Sequence, residues 1–335
     1  MNIYDVSERA GVSIATVSRV LNGNSNVSEK TRQKVLTVIK EIGYTPNIFA
    51  RGLGLNTMQT IGIMCSDSSD IFLSNAVYFL EQNLKKNGYD SFLCCTGNEL
   101  QNKKNYLKLL LSKRVDAVIL VGSSFLETNH KDNNYIFEAA SKVPIMMING
   151  YLNHPNIYCT LCDDRQAVYN STCKLITEKR NRILFLYHSK SYSSLQKLNG
   201  YKDAIIFHKL FLQEDLILQC PHNIQEIQNF LNKHFENGLR FDAVIAAEDL
   251  LAVGTLKFLK SKGIVVPKMV NIIGYNNSLL ADCCEPELSS IDNHVEILSL
   301  TTVTSLMGVL TGITVPNKTT ISNDLILRGT TDFVQ

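Results

Sequence analysis

Apolar side chains repeat at helical spacing over the first 45 residues. Ile3, Val6 and Ala10 mark one helical face, Val17, Val20 and Leu21 a second, and Val35, Val38, Ile39 and Ile42 a third. Gly11 follows the first helix and tolerates the positive φ of a helix end. Gly43 stops the third. Ser13 is placed to cap the second helix and Ser28 starts the third. Asn22-Gly23-Asn24-Ser25-Asn26 is turn chemistry. Pro46 then opens a short segment, Asn47 to Leu55, with Asn47 as its cap.

From Thr60 the pattern changes to short apolar runs alternating with amphipathic helices. The runs include Ile61–Cys65, Phe92–Cys95, Ala117–Val121, Ile145–Ile148, Ile183–Leu186, Ala243–Ala246 and Ile272–Tyr275. The helices include Ser74–Asn87, Gln101–Lys113, Gln166–Thr177, Leu195–Lys209, Gln225–Glu236 and Leu250–Ser261. Such alternation implies parallel sheets with helices on both faces. So many β-α units would overload one sheet, so two similar doubly wound subdomains are expected. No strong internal repeat is legible.

The chain has 335 residues, 45% hydrophobic and 19% charged, enough for large cores and incompatible with wholesale disorder. No apolar run approaches the ~18–20 residues of a membrane span. The N-terminus lacks the plan of a signal peptide, so a cytoplasmic protein is expected. Net charge is +2, but residues 1–51 carry seven basic and four acidic side chains, which points to a polyanion partner for this head. The nine cysteines show no disulfide or zinc spacing. Cys159-x-x-Cys162 lies in a β-like stretch, where residues three apart face opposite sides. Reduced, mostly buried thiols are expected, with no metal and no cofactor.

Ile3 to Asn22 reads as a helix–turn–helix. A glycine stands at the tight turn, and the outward face of the second helix carries Ser13, Thr16, Ser18 and Arg19. The small hydroxyls suit phosphates, and the Arg19 fork suits guanine O6 and N7. This string resembles the lactose-repressor family (LacI/GalR). So do Asn47-Ile48-Phe49-Ala50-Arg51-Gly52-Leu53, Arg114-Val115-Asp116-Ala117-Val118-Ile119, Asn199-Gly200-Tyr201, Asp249-Leu250-Leu251-Ala252-Val253-Gly254, Ile272-Ile273-Gly274-Tyr275 and Pro286-Glu287-Leu288.

The resemblance implies a homodimeric regulator of operator double-stranded DNA, most simply a repressor. It implies base-facing Ile14, Ala15 and Arg19, and phosphate-facing Tyr4, Ser13, Thr16, Ser18, Asn22, Asn26, Ser28 and Thr31. A hinge containing Asn47 and Ala50 would fold on DNA, with Leu53 wedged into the minor groove. Gly52 and Gly54 each weaken that short helix by about 1 kcal/mol relative to Ala, so folding coupled to binding is expected. The expected division is a head at 1–45, a hinge and linker at 46–59, and a body at 60–335 resembling periplasmic sugar-binding proteins. Within the body, residues 60–160 with 292–320 would form one subdomain, and 162–290 with 322–335 the other.

The family's effector positions correspond to Phe72, Leu73, Asn149, Lys197, Glu248, Asn276 and Asn293. Family members commonly carry Asp where Asn149 and Asn276 stand, and Arg where Lys197 stands. Neutral amides replace charged acceptors, and an ammonium replaces a planar fork. The effector is expected to be a sugar, an amino sugar or another small polar metabolite, with Lys197 drawing a carboxylate or phosphate and Glu248 an amino group. The alternative is a degenerate cleft and control by a protein partner, as in the carbon catabolite branch of the family. His188 among Ser189, Ser191, Ser193 and Ser194 invites a hydrolase reading. No Gly-x-Ser-x-Gly elbow, phosphate loop or His-rich metal motif accompanies it, and no enzyme is expected.

Overall fold

The computed structural model describes residues 2–21, 26–44 and 57–333. Asn22 and the hinge positions Asn47, Ala50, Gly52, Leu53 and Gly54 lie outside the described residues.

The head is three helices: α1 (Ile3–Ala10), α2 (Ile14–Leu21) and α3 (Glu29–Ile42). Asn2 accepts hydrogen bonds from the Tyr4 and Asp5 amides, while the Asp5 carboxylate accepts one from the Asn2 amide. This reciprocal cap satisfies donors that the first turn would leave orphaned. Gly11 and Gly43 end α1 and α3 at φ 59° and 61°. Each helix buries one stripe, and Val6, Ala10, Val17, Val20, Val35, Val38 and Ile42 form a common core. Leu21 and Ile39 are only partly buried at its edge.

The body contains two six-stranded sheets. In the first, β1 (Thr60–Cys65), β2 (Asp90–Cys95), β3 (Ala117–Val121), β4 (Ile145–Ile148), β5 (Ile157–Cys162) and β11 (Lys318–Ile321) run in the order β11-β5-β4-β3-β1-β2, all parallel. In the second, β6 (Ile183–Tyr187), β7 (Ile217–Gln219), β8 (Ala243–Ala246), β9 (Asn271–Tyr275), β10 (Ser289–Asp292) and β12 (Asp324–Ile326) run β12-β10-β9-β8-β6-β7. Only β12 is antiparallel to its neighbour.

Without β11 and β12 the two orders are the same. The duplication extends to side chains. Asp116, just before β3, accepts hydrogen bonds from the Met58 and Thr60 amides where β1 begins. Asp242, just before β8, does the same for the Asn181 and Arg182 amides ahead of β6.

Helices α4 (Ile71–Lys86), α5 (Leu100–Ser112) and α6 (Asn134–Ala140) connect strands of the first sheet. α7 (Asp164–Thr177) leads from β5 to β6 in the second sheet, whose strands are joined by α8 (Tyr192–Phe207), α9 (Ile224–Glu236), α10 (Asp249–Ser261) and α11 (Leu279–Cys283). The chain returns to the first lobe as α12 (Val295–Leu310), whose Leu298, Val303 and Leu306 share a core with Leu73, Ala76, Leu80 and Leu84 of α4. No polar stripe marks α12, so the amphipathic pattern did not isolate it. α4 and α8 begin three residues earlier than their apolar repeats. The reason is capping: Asp70 accepts from the Leu73 amide and Ser191 from the Ser194 amide.

All nine cysteines are free thiols. Cys159 belongs to the core on one side of the first sheet and Cys162 to the core on the other, so the short motif chelates nothing. Burial, reinforced by Cys95, pushes the Cys65 thiol up to about 12. Cys65, Cys94, Cys159, Cys162 and Cys220 are expected to stay unlabelled by a maleimide in the folded protein and to react after denaturation. Peptide mass spectrometry reads this directly; rapid native labelling of these five would show a looser core. Among the described residues no helix is long and apolar enough to cross a membrane.

Candidate nucleic-acid interface and interdomain cleft

α2 turns Val17 and Val20 into the head core and leaves Ser13, Ile14, Ala15 and Arg19 exposed, with Thr16 and Ser18 half-buried. The polar side chains next to α2 and α3 also build the helices. Ser13 Oγ accepts from the Thr16 amide at 3.2 Å and lies 2.9 Å from Thr16 Oγ1. Ser28 repeats this with Thr31, at 3.3 and 2.9 Å. These hydroxyls sit at helix N-termini, where backbone amides and the helix dipole favour a phosphate. Tyr4 is 67% exposed, and Asn26 is exposed. The exposed positions of α2 thus carry a long guanidinium and the apolar Ile14 and Ala15, beside an N-terminus capped by a hydroxyl.

The second site lies between the sheets, where strand carboxyl ends from both lobes converge. Ser66 follows β1, Gly122 and Ser123 follow β3, and Asn149 follows β4. Ser189, Glu248 and Asn276 stand just beyond β6, β8 and β9. With Phe72 and Leu73 from α4, Ser191 at the cap of α8, and Ser193, Ser194 and Lys197 from α8, they line a cavity of about 140 Å³. Ligands of open α/β sheets bind at this end, because loops vary there while strands fix their starting points.

Asn149 and Asn276 occupy equivalent places in the duplicated topology, and both have positive φ, 57° and 102°. Asparagine tolerates that region better than most residues. Each amide oxygen is already engaged: Asn149 Oδ1 accepts from the Cys162 amide and Asn276 Oδ1 from Asn293 Nδ2, both at 2.9 Å. An oxygen held in this way is not free to accept from a ligand, and the Asn149 side chain also bonds the Cys162 thiol. Asn293 is 1% exposed and does not line the cavity; its contribution is to hold Asn276.

Lys197 lines the cavity, and its ammonium already has partners there. It is 6% exposed, its Nζ donates to the Ala247 carbonyl at 2.9 Å, and it sits 3.5 Å from the centre of the Tyr275 ring. Tyr275 OH and Ser193 Oγ both donate to Asp164. Burial pushes the Asp164 carboxyl up, and the Lys197 charge opposes this most. The ammonium therefore belongs to an internal network.

Glu248 faces His222, with Nε2 and Oε2 2.7 Å apart. Burial pushes Glu248 up, but its hydrogen bond and charge pairing with His222 and the charge of Lys197 outweigh it, leaving the carboxylate below its usual range. His222 is raised by the same hydrogen bond. Asp70 joins them from the opposite lobe. Among the described residues these three form a group whose donor atoms all lie within 4.8 Å and could hold a metal ion. Ser189, Ser191, Ser193 and Ser194, which drew notice in the sequence only as a hydrolase-like cluster, line the cleft instead. Ser66, Ser123, Asp70 and His222 carried no signal in the sequence beyond position just past a strand or at a helix cap.

Residues 2–47 match the family described as bacterial regulatory proteins of the lacI family, and residues 58–324 match periplasmic binding proteins and the sugar-binding domain of the LacI family. An HTH-type transcriptional regulator of Lachnoclostridium phytofermentans is 70% identical, over 99% of this chain and all of that protein. The Escherichia coli regulator AscG is 32% identical, over 97% of each chain. The lac repressor dimer bound to operator and the anti-inducer ONPF superposes over 99% of each chain with a TM-score of 0.89 at 23% identity, a likeness of fold. A helix–turn–helix head, a two-lobed α/β body and relatives along its full length converge on one conclusion: the chain belongs to the LacI family and is a DNA-binding, repressor-like transcriptional regulator rather than an enzyme.

Proposed function

We propose that the protein is a dimeric repressor that reads a pseudo-palindromic operator through α2 and is modulated by a small polar ligand in the cleft. The observation that carries the DNA reading is the exposed Ile14, Ala15 and Arg19 face of α2, anchored by Val17 and Val20. Ser13, Thr16, Ser18, Ser28, Thr31, Tyr4, Asn22 and Asn26 contact phosphates in this reading, and Asn47, Ala50 and Leu53 act from the hinge. Selection of duplexes from random sequence by the full chain is expected to return a two-fold motif with a flexible central C-G step. Failure to enrich any symmetric motif would overturn the reading.

For the effector, the side chains favour a hydroxyl-rich ligand. Asparagine amides and serine hydroxyls line a small cavity, while the Lys197 charge is spent on Asp164 and Ala247. A sugar or amino sugar suits this lining better than a sugar phosphate. Calorimetry of the full chain against neutral sugars, amino sugars, sugar phosphates and amino acids tests the class. Binding confined to sugar phosphates and lost in Lys197→Met would refute it. No binding across the panel, with a carrier protein retained on the purified dimer, would favour control by a protein partner.

A further inference from the structure

We propose that Asp70, His222 and Glu248 form a binding site for a divalent transition-metal ion that bridges the two lobes across the cleft. The inference goes beyond the regulator reading and does not depend on it. Asp70 precedes α4 in the first lobe; His222 and Glu248 stand beyond β7 and β8 in the second. Their donor atoms, one imidazole nitrogen and two carboxylate oxygens, lie within 4.8 Å of one another.

An ion about 2.0–2.2 Å from each donor would hold them roughly 3–3.5 Å apart. The 2.7 Å His222–Glu248 pair is already near that separation, and the remaining donors need close by no more than roughly 1–2 Å. Mixed imidazole and carboxylate donors suit zinc, cobalt or manganese; an all-oxygen set would be expected for calcium or magnesium.

Other features point the same way. Glu248 stands at the N-cap of α10, yet its side chain makes no capping hydrogen bond and is turned to His222. One Asp70 oxygen accepts from the Leu73 amide, which orients the carboxylate as outer hydrogen bonds orient metal ligands elsewhere. The His222 ring is packed against His188 with centroids 4.6 Å apart, which restrains its plane. Asp67 adds negative charge to the adjoining cavity, lined also by Asp70, His222 and Glu248. Because the donors come from opposite lobes, an ion shared among them favours the closed cleft over the open one.

The test is titration of the metal-free full chain with Co2+ and then Zn2+, followed by absorption and calorimetry, with Asp70→Asn, His222→Gln and Glu248→Gln alongside. Thermal melts of each variant establish that it is folded. The nine thiols provide competing sites, so the variants rather than binding alone decide. One ion per chain is expected at this site, weakened at least tenfold in each variant, with loss of the nitrogen-ligand signature in His222→Gln. Small-angle scattering is expected to show compaction on metal addition in the wild type but not in Asp70→Asn. Unchanged affinity in all three variants would place the ion on thiols and overturn the site. Loss in His222→Gln and Glu248→Gln with full binding in Asp70→Asn would overturn the bridge. The measurements use no DNA, so their failure leaves the operator reading standing.

Discussion

Arg19→Ala is expected to weaken binding to the selected operator by about 1–3 kcal/mol, roughly five- to 150-fold, and to relax the preference for one guanine in each half-site. The magnitude follows from chemistry and placement together. A guanidinium can meet guanine O6 and N7 with two parallel hydrogen bonds, and alanine leaves both acceptors unpaired in a contact that has displaced water. Arg19 is exposed on a helix whose next residue, Val20, and whose Val17 are locked in the head core, so the direction of the fork is set by packing. Thr16→Ala, removing a phosphate donor, is expected to weaken all duplexes similarly and leave the selected motif unchanged. Random-sequence selection with the Arg19→Ala protein separates the two behaviours. An unaltered motif at undiminished affinity would mean that Arg19 does not read a base.

Gly200→Ala is expected to destabilise the body by about 3 kcal/mol, lowering the melting temperature by about 6–12 °C. A Cβ at this position on α8 would lie 2.1 Å from the Arg165 carbonyl oxygen and 3.1 Å from the Tyr169 amide nitrogen. Both are backbone atoms of α7, so the helices must separate. Gly62→Ala is the contrast, because the nearest atoms to its Cβ belong to the Leu110 side chain, at 2.7 to 3.3 Å, and not to backbone. Its loss should be smaller. The effect at Gly200 also reaches the cleft. Ser193, Ser194 and Lys197 lie within two turns of it on α8, so displacement of that helix is expected to weaken ligand binding as well as stability. A melting temperature equal to that of the wild type would show that α7 and α8 have slack the close approach denies.

The head was largely legible because its information is local. Periodic Val and Ile positions, Gly11, Gly43, Ser13 and Ser28 act on neighbours a few residues away, and the structure uses them there. The β-α alternation was legible for the same reason, with boundaries displaced only where a cap such as Asp70 or Ser191 lengthened a helix. α12 escaped because a helix without a polar stripe carries no amphipathic period.

The family resemblance named six of the residues that line the cleft, Phe72, Leu73, Asn149, Lys197, Glu248 and Asn276, but not the atoms they leave available. Asn149 and Lys197 look from their letters like an acceptor and a free cation. In the fold the Asn149 oxygen holds the Cys162 amide, and Lys197 answers Ala247, Tyr275 and Asp164. Residue type sets what a side chain can bond, and that is fixed along the chain. Which of its bonds are already satisfied, and which distant groups such as Asp70, His222 and Glu248 come within reach of one another, depends on two sheets presenting their strand ends to a common space. That arrangement arises only when both lobes are packed, because hydrogen bonds and electrostatic interactions act over a few ångströms of space, however far apart in the sequence the partners lie.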